Sequence, residues 1–237
     1  MSPPANKNKS SLENREYAIP SKTLKGLIRD TYTALTDPSQ AKALFGFIAE
    51  GRDASAYMGR VNVSFGKRSS GDFYWYGMPN LYGHLKDAQG YGCTEHLKAD
   101  IYNNCRFYIH RTNFIDRLVK YASIEEAARE SRISHEGFSP RRCAETGSIF
   151  TFNVDYWNLT VKELKCLMTS IQLEEGLAHK IGKGKYLGFG SCRIIIDEKK
   201  SNVLDAGKDH WKERYTSRNV VNKVFTELPI LGISDDR

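Results

Sequence analysis

The sequence predicts an α+β fold, and three observations carry the prediction. Two capping boxes open amphipathic segments, short apolar or alternating runs lie between them, and the C-terminal half runs strand, helix, loop, strand. That last order suits a ferredoxin-like unit. At 237 residues the chain can bury a real core as one domain or two small ones, and 11% aromatic residues favour a folded globule over disorder.

Residues 1–16 are polar and rich in Pro, Asn, Lys and Ser, so a disordered tail is expected ahead of a single domain over 17–237. A helix is expected from Ser21, placed as N-cap after Pro20, with Leu24, Leu27, Ile28 and Leu35 as its apolar stripe. Lys22, Lys25 and Arg29 are spaced three and four apart and share another face. That face is a cationic ligand surface or simply a solvated one. Ala43–Ala49 is short and apolar, and Gly59–Phe65 alternates like a strand. Residues 66–104 are rich in Gly, Tyr and turn formers with little periodicity, so they are expected to be a large insertion outside the scaffold. Cys105–His110 reads as a strand, and Ser123-x-x-Glu126 as the capped start of a short helix to Arg129. Phe150–Val154 is an expected strand. Thr160-x-x-Glu163 then opens a helix striped by Val161, Leu164, Leu167, Met168 and Ile171. Arg193–Ile196 is the closing strand, and Ser217–Leu228 is a last helix with Val220, Val221, Val224 and Phe225 inward. There is no internal repeat of 20–50 residues.

The most informative segment is Gly176–Cys192, GLAHKIGKGKYLGFGSC. Its glycines permit positive φ and close backbone approach, while exposed turn amides attract anions. His179, Lys180, Lys183 and Lys185 are interleaved with Gly182, Gly184, Gly188 and Gly190, placing cations where a phosphate would lie. The nucleotide motifs do not fit. Gly176 to Gly182 is one residue too long for a P-loop and Lys183 is followed by Gly184, while a dinucleotide fingerprint would open a helix rather than precede a strand. The plainer alternative is a flexible surface hairpin with solubilising lysines.

Charge agrees with a polyanionic partner. Thirty-five basic residues against 28 acidic give +7 at neutral pH. No run of about 18 apolar residues suggests a membrane span, and the N-terminus lacks the apolar core of a signal peptide. Five scattered cysteines, Cys93, Cys105, Cys143, Cys166 and Cys192, read as reduced thiols of a cytoplasmic protein.

Three segments together resemble the RAMP superfamily of CRISPR-associated proteins, specifically the RNA-binding backbone subunits of type III effector complexes. Ile19–Arg29, IPSKTLKGLIR, is similar to that family's I-P-G-S-S-L-K-G-x-x-R helix start. Leu44–Gly46 followed by Gly59–Phe65 is in the family's order. Gly147–Ile194 resembles the family's C-terminal strand, helix and glycine-rich loop, with AHKIGKGKYLGFGS and Arg106–His110 (RFYIH) especially close to one subgroup. The resemblance implies an RRM-like fold, antiviral defence, and a role in holding guide RNA and target RNA within an assembly of related subunits. It assigns the RNA contacts to Lys22, Lys25 and Arg29 in the first helix and to His179, Lys180, Gly182, Lys183, Gly184, Lys185, Gly188 and Gly190 in the loop. Two departures stand out. Ser21 follows Pro20 directly, where the family has Gly. The family's first strand and its aspartate-bearing loop would lie upstream of Ile19, where the acidic residues are Glu13 and Glu16. Catalytic residues are therefore not expected, and a neighbouring subunit is expected to supply the missing strand to the open sheet edge. The rival readings are a metal-dependent endoribonuclease of the same fold and a structural adaptor between subunits.

Two further constellations have a chemical reading. Cys93, His96, Cys105 and His110 follow C-x2-H-x8-C-x4-H, the ligand types of a structural zinc site, although a strand over 105–110 would turn the last two to opposite faces. Phe73, Tyr74, Trp75, Tyr76 and Tyr82 offer rings for base stacking or for packing. Glu174-Glu175 reads as an exposed helix end rather than an acid/base pair.

Overall fold

Pro20 decides where the first helix starts. In the computed structural model its φ of −59° and ψ of 139° hold the chain extended between the two-residue strand β1 (Ala18–Ile19) and helix α1 (Ser21–Leu35). Ser21, expected as the cap, is instead the first helical residue, because Pro20 occupies the cap position. No side chain caps this helix, and the amides of Thr23 and Leu24 bond to the Pro20 carbonyl. The structure describes residues 17–49, 55–79, 99–102, 105–108, 110, 119–134, 138–185 and 188–202. The expected tail over 1–16 and the helix over 217–228 lie outside them.

Asp37 caps the second helix, α2 (Pro38–Phe45), by accepting from the amides of Ser39 and Gln40. Hydrogen bonds from the Ser39 hydroxyl and the Gln40 amide pull the Asp37 carboxyl down to about 2. The apolar run Ala43–Ala49 therefore divides, half in α2 and half in β2 (Gly46–Ile48), which pairs with β3 (Ala56–Met58). In β4 (Val61–Val63), Val61 and Val63 are buried and Asn62 is exposed, the alternation read from the sequence.

Residues 66–79 depart from the expected insertion. They form β5 (Gly66–Ser70) and β6 (Phe73–Pro79), and β5 lies between β1 and β11 (Ile149–Thr151) in one antiparallel sheet. Beyond them come β7 (Ala99–Tyr102), β8 (Cys105–Tyr108), β9 (Lys120–Tyr121), α3 (Ile124–Ser134) and β10 (Phe138–Ala144). In a second three-stranded sheet, ordered β10-β6-β9, Pro140 sits on an edge strand, where its missing N–H removes little from the ladder. The Ser123 hydroxyl caps α3 through the Glu126 amide, while the Glu126 carboxylate accepts from Ala122 rather than Ser123.

The single strand expected over Phe150–Val154 is two. β11 pairs with β5, and β12 (Val154–Tyr156) pairs with β4. The change of partner falls where Ser64 and Asn153 exchange hydrogen bonds, the Ser64 amide to the Asn153 carbonyl and the Asn153 amide to the Ser64 hydroxyl. The Thr160–Glu163 capping box forms as expected at the head of α4 (Val161–Ile171). Leu164, Leu167, Met168 and Ile171 are buried, whereas Val161 at the first turn is 44% exposed. The last pair is β13 (His179–Lys180) with β14 (Ser191–Cys192). Arg193–Ile196 is not a strand. Ile194 and Ile196 pack on the core, but the Ile196 amide bonds the Gln172 side chain instead of a ladder partner.

One core joins these pieces. Leu24, Ile28 and Tyr32 of α1 meet Leu44 and Phe45 of α2, Val61 and Val63 of β4, and the buried face of α4. The architecture is α+β, four helices with small antiparallel sheets of two or three strands among the described residues. No helix among those residues is long and apolar enough to cross a membrane.

The capping box also anchors α4 to β4. The Glu163 carboxylate accepts from Thr160 and, at 2.5 Å, from Arg60. Burial raises its pKa, and the Arg60 and Thr160 bonds outweigh that effect. Thr160→Ala should lower unfolding free energy in urea by about 1 kcal/mol. Glu163→Ala should cost more, because Arg60 also loses its partner.

Candidate functional site

A groove of about 410 Å³ opens between the N-terminal half of α1 and the chain that follows α4. Lys22, Thr23, Gly26, Asp30 and Thr31 form one wall, and Ala178 to Lys183 with Lys185 form the other, with Tyr108 of β8 at its side. The α1 wall follows from helical spacing, since Lys22, Gly26 and Asp30 are four apart and lie in one row. Gly26 keeps that row open, because a Cβ there would meet nothing within 4 Å.

His179 and Lys180 do not face a ligand as free cations. They are 3% and 7% exposed, and both are committed to the fold. His179 Nε2 donates to the Ile171 carbonyl at 2.9 Å, leaving Nδ1 3.5 Å from the Thr31 hydroxyl. Burial holds its pKa down at about 4, so the imidazole is neutral. Lys180 Nζ donates to the carbonyls of Gly188 at 2.5 Å and Phe189 at 3.1 Å, closing the loop on itself. Burial lowers this ammonium to about 8, with Cys192 pulling the other way. The physical reason for the correction is non-local: the pairing of β13 with β14 places both side chains inside, which a cation count along the loop does not reveal.

The four loop glycines adopt positive φ, 82° at Gly182, 73° at Gly184, 99° at Gly188 and 77° at Gly190. Only Gly182 lines the groove; Gly184 and Gly188 are buried and Gly190 half-buried, so these three shape the loop rather than offer backbone to a ligand. At Gly190 a Cβ would lie 1.8 Å from the Ile181 carbonyl oxygen, because the Ile181 amide is drawn onto the Gly190 carbonyl at 2.8 Å.

The free cations of the groove are Lys22, Lys183 and Lys185, the last with Nζ 5.0 Å from the centre of the Tyr108 ring. Lys25 and Arg29 lie on α1 outside the groove lining. Burial, then the neighbouring Arg29 charge, lowers the Lys25 pKa. Asp30 and Tyr108 are among the lining residues that the motif reading missed. The row Lys22, Gly26, Asp30 was the available signal for the first. The groove walls desolvate the Asp30 carboxyl and raise its pKa, against Lys185, Arg29 and a Cys105 hydrogen bond.

The structure describes only part of the metal and aromatic constellations. Cys105 interacts with Asp30 and Thr33, whereas His110 Nδ1 lies 2.8 Å from the Ser191 hydroxyl. Cys93 and His96 lie outside the described residues, and among the described residues no group of three or more His, Cys, Asp or Glu could hold a metal ion. Tyr76 is buried against Phe189, while Lys120 sits over Tyr74. Tyr82 lies outside the described residues. Glu174 and Glu175 follow α4 without an acid/base partner in the groove lining. No family model matches the chain, and no curated protein matches it.

Two outcomes follow from the buried histidines and the loop. His110 and His179 both have pKa values pushed down to about 4, chiefly by burial. Unfolded, they bind protons near 6.5, so the unfolded state takes up protons that the native state does not. Stability should fall as pH drops from about 6.5 to 4, by up to roughly 3 kcal/mol per histidine, read as the urea midpoint against pH. His179→Gln should flatten that dependence by one group. Gly190→Ala should lower stability by roughly 2 kcal/mol or more in thermal melts, since both the positive φ and the Ile181 contact oppose a side chain.

Proposed function

We propose that this chain is a guide-RNA-binding backbone subunit of a type III CRISPR ribonucleoprotein, with an RRM-like RAMP fold, working in the cytoplasm beside related subunits and target RNA. One observation carries the reading. The two segments of closest resemblance, IPSKTLKGLIR and AHKIGKGKYLGFGS, are about 150 residues apart in sequence yet form the two walls of one groove. Lys22 from the first and Lys183 and Lys185 from the second converge on it. The adjoining end of α1 has no side-chain cap, which leaves helix-end amides and the positive pole of the helix dipole on the same side.

Lysines suit a variable guide. An ammonium is a point charge without the planar fork that reads base edges, so the grip falls on phosphates and tolerates any sequence. No cleavage step is assigned to this chain. Asp30 is the one carboxylate among the described groove-lining residues, and metal-dependent hydrolysis of RNA calls for a coordinated arrangement of ligands around the ion.

Substituting Lys22, Lys183 and Lys185 together by Ala should weaken retention of guide RNA tenfold or more. It should also reduce the log–log salt slope by about 2, at roughly 0.7 per lost contact on a single strand. Lys25→Ala with Arg29→Ala should have a smaller effect. Two unrelated guides should respond alike. Retention by the folded triple variant at the level of the parent would show that the groove does not hold RNA.

A further inference from the structure

The sheet β10-β6-β9 has a second, different surface. Along β6, Tyr74 and Tyr76 point to one face and Phe73 and Trp75 to the other. The first face is covered, since buried Tyr76 meets Phe189 of the glycine-rich loop edge-on at 5.6 Å. On the opposite face Arg142 of β10 stands directly across from Trp75 in the ladder. Its guanidinium lies 4.5 Å from the Tyr17 ring centre, 5.7 Å from Phe73 and 6.0 Å from Trp75. It also donates to the Tyr17 hydroxyl. Arg68 of β5 sits 5.5 Å from the Phe73 ring and is held by a 2.7 Å bond to the Gly71 carbonyl. Tyr17 and Phe150 brace Phe73 from two sides.

Packing alone does not account for this arrangement. Both arginines are exposed, and neither makes an ion pair with a carboxylate among the described residues. A guanidinium has five N–H donors, so most of those on Arg142 remain available after the single bond to Tyr17. The ring stack fixes its plane in advance, and ordering a long side chain before a ligand arrives lowers the entropic cost of binding. Two pre-ordered guanidinium groups beside a half-buried indole match one repeating chemistry, a phosphate followed by a flat base.

We propose that this face is a second contact for single-stranded RNA, in which a base stacks on the platform at Trp75 while Arg142 and Arg68 take the adjoining phosphates. The identification of the ligand as RNA rests on the function proposed above; the platform itself does not depend on the lysine groove. An acidic protein segment would satisfy the two arginines but would have no use for the ring.

The full chain carrying Trp157→Phe and Trp211→Phe keeps Trp75 as its only tryptophan, and its fluorescence reports the platform directly. Titration with oligouridylate should quench it saturably, whereas inorganic polyphosphate of matched charge should not. Arg142→Lys keeps the charge but loses the planar stack, and should weaken oligouridylate binding five- to tenfold with the far-ultraviolet circular dichroism unchanged. Unquenched Trp75 under conditions where the chain binds RNA through the groove lysines overturns the platform alone. Quenching that survives the triple lysine substitution supports the platform even if the groove reading fails. Equal quenching by an acidic peptide overturns the assignment to nucleic acid. In the unsubstituted chain, photo-crosslinking with 5-bromouridine RNA should mark Trp75, and crosslinks that all fall away from β6 overturn the proposal independently of those variants.

Discussion

The shape of the glycine-rich loop depends on two buried side chains adjacent in sequence. His179 ties β13 to the last carbonyl of α4 and faces Thr31 of α1, so a single imidazole touches two of the core helices. Lys180 turns the other way and gathers the carbonyls of Gly188 and Phe189. An ammonium taken out of water is costly unless its donors are satisfied, and two carbonyl oxygens offset part of that cost here. This pair works with the β13–β14 ladder and the Ile181–Gly190 bond to hold Lys183 and Lys185 opposite Lys22. The loop is therefore built from the inside, by a neutral imidazole and a buried ammonium whose donors are taken up by backbone carbonyls.

That division of labour explains what could be read from the sequence. The capping box at Thr160 and the side-chain cap of Ser123 were legible because they act over three residues, and the positive-φ glycines because few other residues take that backbone. The apolar stripe of α4 was legible from its period. Burial of a lysine is not local. His179 and Lys180 look identical in type to Lys183 and Lys185, and only the β13–β14 pairing separates staples from contacts. On α1 the charge pattern favoured a face of Lys22, Lys25 and Arg29, while the groove lies along Lys22, Gly26 and Asp30. Strand partners were equally hidden, as nothing local to Phe150–Val154 names β5 as the partner before Asn153 and β4 after it.

The β6 strand connects the two surfaces. Its Tyr76 meets Phe189, whose own carbonyl is held by Lys180, so the loop leans on one face of the sheet that carries the Arg142 stack on the other. Packed interiors transmit displacement rather than absorb it. The Tyr76–Phe189 contact is thus a direct packing link between the loop and the strand that carries Trp75 on its other face.

Charge in the groove is graded rather than simply positive. Asp30 stands among three lysines, and its raised carboxyl pKa records how far the walls exclude water from it. In the proposed RNA-binding role, a phosphate entering near Lys185 would also face that carboxylate, which would favour positions toward Lys22 and Lys183. Pure electrostatic attraction would let a polyanion slide. A carboxylate set beside the cations makes some positions of the backbone worse than others, which fixes register without reading a base. On the proposed reading, opposed charges in one small groove would give position, and the lysine excess would give affinity.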